Sequence, residues 1–372
     1  MAFLIREADS ALTPVQHSNK IFTEHLKLMS LFNASGQQGS GMPIVMDFEL
    51  KGKAGETVVH HFIPHAYASP LRGQKKTIIG NENSTEEFKL EVKVNEVNFP
   101  FRKKGKMTDQ RLIYSARAEM SRQITNHFAQ YNEDQLFKVM SGIDFEDDDQ
   151  TAWEAATDTN DRVSGASRCI RADGANGATE VTSANSDNVA LVAAMSSTDT
   201  MSPYLIESAA VMVRTADATS NDSASSVTNT YKMHPIRIGK NNEEFFILYV
   251  SLEVAKTLRF NADWLAHVYA LDERGLEDSA IASGALGVWG NVIVKPSERI
   301  IRISDGSGGF YYRNLLLGAD AVFSGWVQTL DYTEELWDHE RELSSNGSEI
   351  RGEKKITFNG VDCGVAQVIT AA

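Results

Sequence analysis

The side chains able to do chemistry are few and poorly grouped. His60-His61-x-x-x-His65 is the densest set of potential metal ligands. On an extended strand His61 and His65 share a face and His60 points away, so at most two could join one site. Asp47 and Glu49 are near in sequence only, and we read this stretch as a solvated strand. The acidic run Asp144, Glu146, Asp147, Asp148, Asp149 has Asp149 where a calcium loop needs glycine, so it reads as a solvated loop. Gly284-x-x-Gly287-x-x-Gly290 precedes a strand, whereas a dinucleotide fingerprint follows one and opens a helix. These glycines mark tight turns, as does Asp305-Gly-Ser-Gly-Gly309. Ser186-Asp187-Asn188 stands without the Ser-x-x-Lys and Lys-Thr-Gly elements that would give it a role in a serine β-lactamase site. No catalytic residue, no metal site and no cofactor site is expected from these patterns.

Composition narrows the classes further. In 372 residues, 50 Asp and Glu against 36 Lys and Arg give a formal net charge of −14, which argues against a protein whose main work is gripping a phosphate backbone. Cys169 and Cys363 are too few for a disulfide framework or a cysteine zinc site. Charge at Arg6, Glu7 and Asp9 leaves no secretory apolar region, and no apolar run approaches a membrane span. The expectation is folding in a reducing cytoplasm.

The element most of the chain must be arranged around is a long amphipathic helix over 108–142. Ile113, Ala116, Met120, Ile124, Phe128 and Tyr131 recur at steps of three and four. Arg117, Glu119, Ser121, Arg122, Asn126, Asn132, Glu133 and Asp134 are assigned to the wet side, and Thr108-Asp109 to the cap. Such a helix would be roughly 50 Å long, a strut across an extended subunit. Before it, Thr57–His65 is β-prone. Phe88, Leu90, Val92 and Val94 alternate strictly with polar residues, and the parity then shifts to Val97, Phe99 and Phe101, as at a bulge. The two strand regions make a ribbon whose tip, 66–87, carries Arg72, Lys75 and Lys76. An isolated two-stranded ribbon is barely stable in water, so it needs a surface to lie on.

Elsewhere, Ile21–Phe32 suggests a short helix, followed by a flexible Gly/Ser/Gln joint at 35–41. Residues 157–230 are rich in Ala, Ser, Thr, Asn and Asp, with a helix starting at Ser202-Pro203. Phe245–Val250 reads as a buried strand, Ser251 as the cap of a helix through Leu258, and Trp264–Leu271 as a further helix. Strands are expected at Val292–Val294 (closed by Pro296), Ile300–Ile303, Tyr311–Leu317 and Gly325–Leu330. A terminal hairpin turns at Asn359-Gly360.

This order of arm, ribbon, strut helix, α/β region and returning strands resembles the major capsid proteins of tailed bacteriophages, an α+β architecture known as the Johnson fold. His234-Pro-Ile-Arg-Ile-Gly, Glu244-Phe-Phe-Ile-Leu-Tyr-Val, Ser283-Gly-Ala-Leu-Gly-Val-Trp-Gly-Asn-Val-Ile-Val, Leu316-Leu-Gly-Ala-Asp-Ala and Ile350-Arg-Gly-Glu-Lys-Lys-Ile-Thr-Phe-Asn-Gly-Val-Asp-Cys-Gly-Val are similar to the capsid proteins of podoviruses with giant virion RNA polymerases. The resemblance implies an N-terminal arm at 1–46, an E-loop at 47–107, a peripheral domain with the spine helix at 108–170, an axial domain at 171–325 and a return to the peripheral domain at 326–372. It implies a virion protein rather than an enzyme, one that assembles with itself as hexamers and pentamers of an icosahedral shell around double-stranded DNA. Partners would be a separate scaffolding protein, a portal protein and a decoration protein. Arg72, Lys75, Lys76, Phe99, Phe101, Arg117 and Arg122 are the expected inter-subunit residues. The alternatives are a nanocompartment shell of the same fold, a metal-dependent hydrolase using the histidine stretch, and a β-rich binding protein.

Overall fold

The computed structural model describes residues 29–37, 39–48, 57–62, 88–103, 116–142, 168–174, 177–181, 195–215, 232–238, 243–271, 284–304, 309–339, 342–358 and 361–371. The expected helix cap at 108–109, the ribbon tip with Arg72, Lys75 and Lys76, the acidic run at 144–149 and His65 lie outside them.

Two sheets carry the chain. One has nine strands and a continuous apolar core. Its main path runs Gly287–Trp289, Val292–Ser297, Glu243–Ser251, Phe310–Leu317, Val365–Ala371, Cys169–Ala172, Ala178–Glu180. Phe245 to Val250 are all buried, because both faces of this strand are covered, as the unbroken apolar run requires. Glu243–Ser251 runs parallel to Val292–Ser297, and the crossover between them holds helices Leu252–Arg259 and Ala262–Leu271. Ser251 caps the first of these, its side chain accepting from the Val254 N–H at 3.2 Å. Ser202 does the same for helix Pro203–Thr215, accepting from Leu205 at 3.3 Å. Pro296 continues its strand instead of closing it. The neighbour on that side pairs only as far as Val294, so the missing N–H breaks no ladder bond there.

The other sheet has five strands in the order Ser35–Gly36, Ile44–Asp47, Val322–Trp337, Glu342–Lys355, Asn95–Lys103. Its centre is a long antiparallel hairpin, Val322–Trp337 with Glu342–Lys355. The first two residues of the stretch 35–41, read as a flexible joint, are folded into it: Ser35 and Gly36 pair in parallel with Ile44 and Val45. Residues 21–28 of the expected N-terminal helix lie outside the described residues, and Ser30–Ala34 is a 3-10 turn that buries Leu31. The parity shift at Asn95 is a change of sheet. Thr57–Phe62 pairs with Phe88–Lys93 as the expected ribbon, and the chain then leaves it at Val94 to become the edge strand Asn95–Lys103.

The long helix, Ala116–Met140, spans about 37 Å and joins the sheets. Its first half sets Ile124 and Phe128 against Leu330 and Tyr332 of the hairpin. Its end crosses to the nine-stranded sheet, where Phe137 meets Tyr249 edge-to-face at 5.5 Å and the Ser141 carbonyl accepts from Gln367 at 3.2 Å. Asn132 and Glu133, assigned to the wet side, are buried for this reason. Past Phe128 much of the helix is buried, though Gln130 and Asp134 stay exposed, and buried polar residues there are paired: Asn132 donates to Glu349 and Glu133 accepts from Arg299 at 2.9 Å. Helix Pro203–Thr215 packs on the opposite face of the nine-stranded sheet, with Arg214 over the Phe246 ring at 5.2 Å.

Candidate assembly surfaces

Strand Glu342–Lys355 organises the five-stranded sheet, and no apolar period marks it in the sequence. Its two faces are separated by the alternation of the pleat. On one face a Cβ at Gly347 would stand 2.6 Å from Ile124 and 2.8 Å from Phe128, so the absent side chain lets the long helix close down. On the other face Gly352 sits opposite Gly325 in the register, as Val58 sits opposite Val92 in the ribbon. A Cβ at Gly325 would be 3.1 Å from Val58, and one at Gly352 would be 2.9 Å from Val92 and would run into the Lys93 carbonyl. A glycine pair thus forms the notch that seats a valine pair. Val45, Leu90, Phe323, Ile356 and Cys363 complete that apolar seat. This is the surface the ribbon needed, and the chain supplies its root from itself.

The ribbon splits the histidines. His60 is buried, its ring stacked 4.5 Å from Phe323, and burial lowers its pKa, while His61 is exposed. Among the described residues no three His, Cys, Asp or Glu side chains gather as a metal site. The outward face of the ribbon shows Val59, His61 and a Lys89–Glu91 pair at 2.7 Å.

The helix face of strand Glu342–Lys355 carries a buried charged stripe. Arg351 Nε donates to Glu349 at 2.8 Å, a second guanidinium nitrogen pairs with Glu353, and the guanidinium lies 5.4 Å from the Trp326 ring. Lys355 pairs with Asp362 at 3.1 Å, and the Asp362 carbonyl accepts from buried Arg168 at 2.7 Å. Sequence reasoning missed these residues because charge ordinarily reads as exposure. The signal present was Gly347 and Gly352 within an otherwise polar, turn-free stretch.

Of the residues expected at subunit contacts, Phe99 and Phe101 face the long helix. Phe99 stacks on the His127 ring at 3.4 Å between centroids and meets Phe101 edge-to-face at 4.8 Å. The outer side of that edge strand shows Glu96, Asn98, Pro100 and Arg102, and Pro100 removes one donor from the open edge. Arg117 and Arg122 are exposed on the helix, held by Glu334 at 2.9 Å and Glu119 at 2.7 Å respectively.

Further exposed apolar groups cluster at the extremities. The hairpin tip presents Leu336 and Trp337, the latter under Arg102. Phe260, 78% exposed, stands at the corner between the two crossover helices. A groove of about 440 Å³ beside helix Pro203–Thr215 is lined by Ile170, Ala178, Tyr204, Val211 and Met212, with Glu180 and Glu207 at hand. Of the three glycines expected at tight turns, Gly284 and Gly290, at φ +76° and +54°, stand in them, whereas Gly287 opens strand Gly287–Trp289. Among the described residues no helix is long and apolar enough to cross a membrane.

A family model described as phage capsid protein matches residues 8–372. No curated protein sequence matches the chain. Among solved structures, the capsid of Ralstonia phage GP4 superposes with a TM-score of 0.73 at 22% identity, over 91% of this chain and 90% of that one. The Cyanophage Pam1 capsid gives 0.62 at 16%, over 93% of each. The head of Helicobacter pylori bacteriophage KHP40 gives 0.61 at 13%, over 92% and 90%. Likeness at these identities speaks for the fold.

Proposed function

The chain belongs to the phage capsid protein family, and on that premise we propose that it is the major subunit of a tailed-phage head, self-assembling as hexamers and pentamers into an icosahedral shell around double-stranded DNA. The observation that carries the proposal is the match of one capsid family model across residues 8–372. The sequence motifs favour the podoviruses with giant virion RNA polymerases within that family.

The mechanism is geometric, not catalytic. The ribbon is rooted on its own five-stranded sheet and reaches onward to a neighbouring subunit as the E-loop. Its tip residues Arg72, Lys75 and Lys76 meet acidic surface there. Arg117 and Arg122 on the outer side of the long helix belong to the contact, together with the half-buried Phe99 and Phe101 of the edge strand beside it. Many such contacts, each weak, add through multivalency. The long helix, the hairpin and the edge strand form the peripheral domain. The nine-stranded sheet forms the axial domain, and its terminal strand Val365–Ala371 goes with it. The negative net charge lets the shell hold DNA without adhering to it. A separate scaffolding protein, a portal protein and a decoration protein are the partners.

The test is negative-stain electron microscopy with light scattering, on the protein expressed with and without its neighbouring genes. Closed shells tens of nanometres across are the expected result. A monomer or dimer under both conditions would overturn the reading.

A further inference from the structure

Glu349, Arg351 and Glu353 place two carboxylates on one guanidinium, all three at most 3% exposed, in the layer between the long helix and its sheet. We propose that this trio is a proton-operated latch: the helix lies closed when one carboxyl is neutral, and the layer loosens when both are charged.

The charge count around the trio sets the sign. On the same strand, Lys355 is matched by Asp362. From the long helix the facing group is Asn132, a neutral donor to Glu349 at 3.4 Å, while Glu133 on that helix shares Arg299 with the half-exposed Asp134. From strand Val322–Trp337 the facing residues are Ser324, opposite Glu353, and Trp326, opposite Arg351. The edge strand sets Asn95 opposite Arg351 and Val97 opposite Glu349. Arg168 donates to the Asp362 carbonyl farther along the layer. Within the trio itself two ionised glutamates share one arginine, so the trio carries a surplus negative charge in a dry layer, with the buried Arg168 guanidinium a further cation along it. Oε2 of Glu353 is buried outside any hydrogen bond of normal geometry among the described residues, with the facing Ser324 hydroxyl the one neutral group near enough to favour its charge, so ionisation there is poorly solvated.

Burial pushes Glu353 up to about 7, against the pull of Arg351 and with the push of Glu349, and burial raises Glu349 as well. The folded value for Glu353 lies above its unfolded value. Its contribution is therefore fully present below the unfolded value of 4.5 and is lost as pH rises through about 7. Gly347, two residues before Glu349, lets the helix sit tight over this stripe, which makes the helix the element released.

The experiment is hydrogen exchange on the unassembled full chain at pH 6 and pH 8, corrected for the intrinsic pH dependence of exchange. It is followed in peptides covering 120–140 and 342–355. A folded value near 7 predicts about a tenfold rise in the opening equilibrium between these pH values. Glu353→Gln and, separately, Glu349→Gln should each bring that ratio close to one, with protection at pH 8 above wild type. A wild-type ratio near one, or an unchanged ratio in both variants, overturns the latch. Because the readout needs no assembly, it stands or falls apart from the proposed shell.

Discussion

The two sheets reach burial by opposite routes. In the nine-stranded sheet, strands such as Phe245–Val250 and Leu315–Leu317 are apolar throughout, and helices or neighbouring elements cover both faces. In the five-stranded sheet, strand Glu342–Lys355 contains Ser, Asn, Glu, Arg, Lys and Gly, yet Ser345, Glu349, Arg351, Glu353 and Lys355 are buried. The first sheet gains its stability chiefly from apolar area removed from water. The second gains close approach through Gly347, Gly325 and Gly352, and accepts a charged stripe that must be matched internally.

The contrast can be broken at its charged centre first. Arg351→Ala leaves two carboxylates in a dry layer and should destabilise the unassembled chain by about 3–5 kcal/mol, more at pH 8 than at pH 5. Thermal denaturation at the two pH values reads this directly, and a pH-independent loss would remove the distinction between the sheets. Leu248→Ala, in the apolar sheet, should cost about 2–5 kcal/mol by cavity formation, equally at both pH values. Ser251→Ala removes only a cap from a helix on that sheet, and a loss of about 1 kcal/mol is expected, with Ser251→Asp recovering part of it. The smallest effect belongs to Arg122→Ala. Its pair with Glu119 is exposed, so the melting temperature of the free chain should hardly move. A reduced yield of closed shells from that same variant would then place Arg122 at a subunit contact.

Much of the apolar sheet was legible residue by residue. The caps at Ser202 and Ser251, the strand Phe245–Val250 and the buried face Leu205, Ile206, Ala209, Val213 all stand where the pattern put them. The ribbon pairing of Thr57–Phe62 with Phe88–Lys93 was legible too, because its alternation has period two. Strand Glu342–Lys355 was not, since burial achieved by glycine and ion pairing leaves no hydrophobic period. The Gly/Ser stretch failed in the other direction: composition suggested flexibility, and Ser35–Gly36 found a strand partner in Ile44–Val45.

Sequence by itself determined the family, the amphipathic first half of the long helix and the inward parity of the ribbon, because each is written in local periodicity or in motif order. Tertiary structure alone decided that Asn132 and Glu133 are buried, that the parity shift at Asn95 is a transfer between sheets, and that the terminal strand Val365–Ala371 lies in the middle of the nine-stranded sheet. Each of these depends on which distant surface an element meets. That is set by shape and pairing between segments hundreds of residues apart, where the neighbouring side chains of one segment carry no record of it.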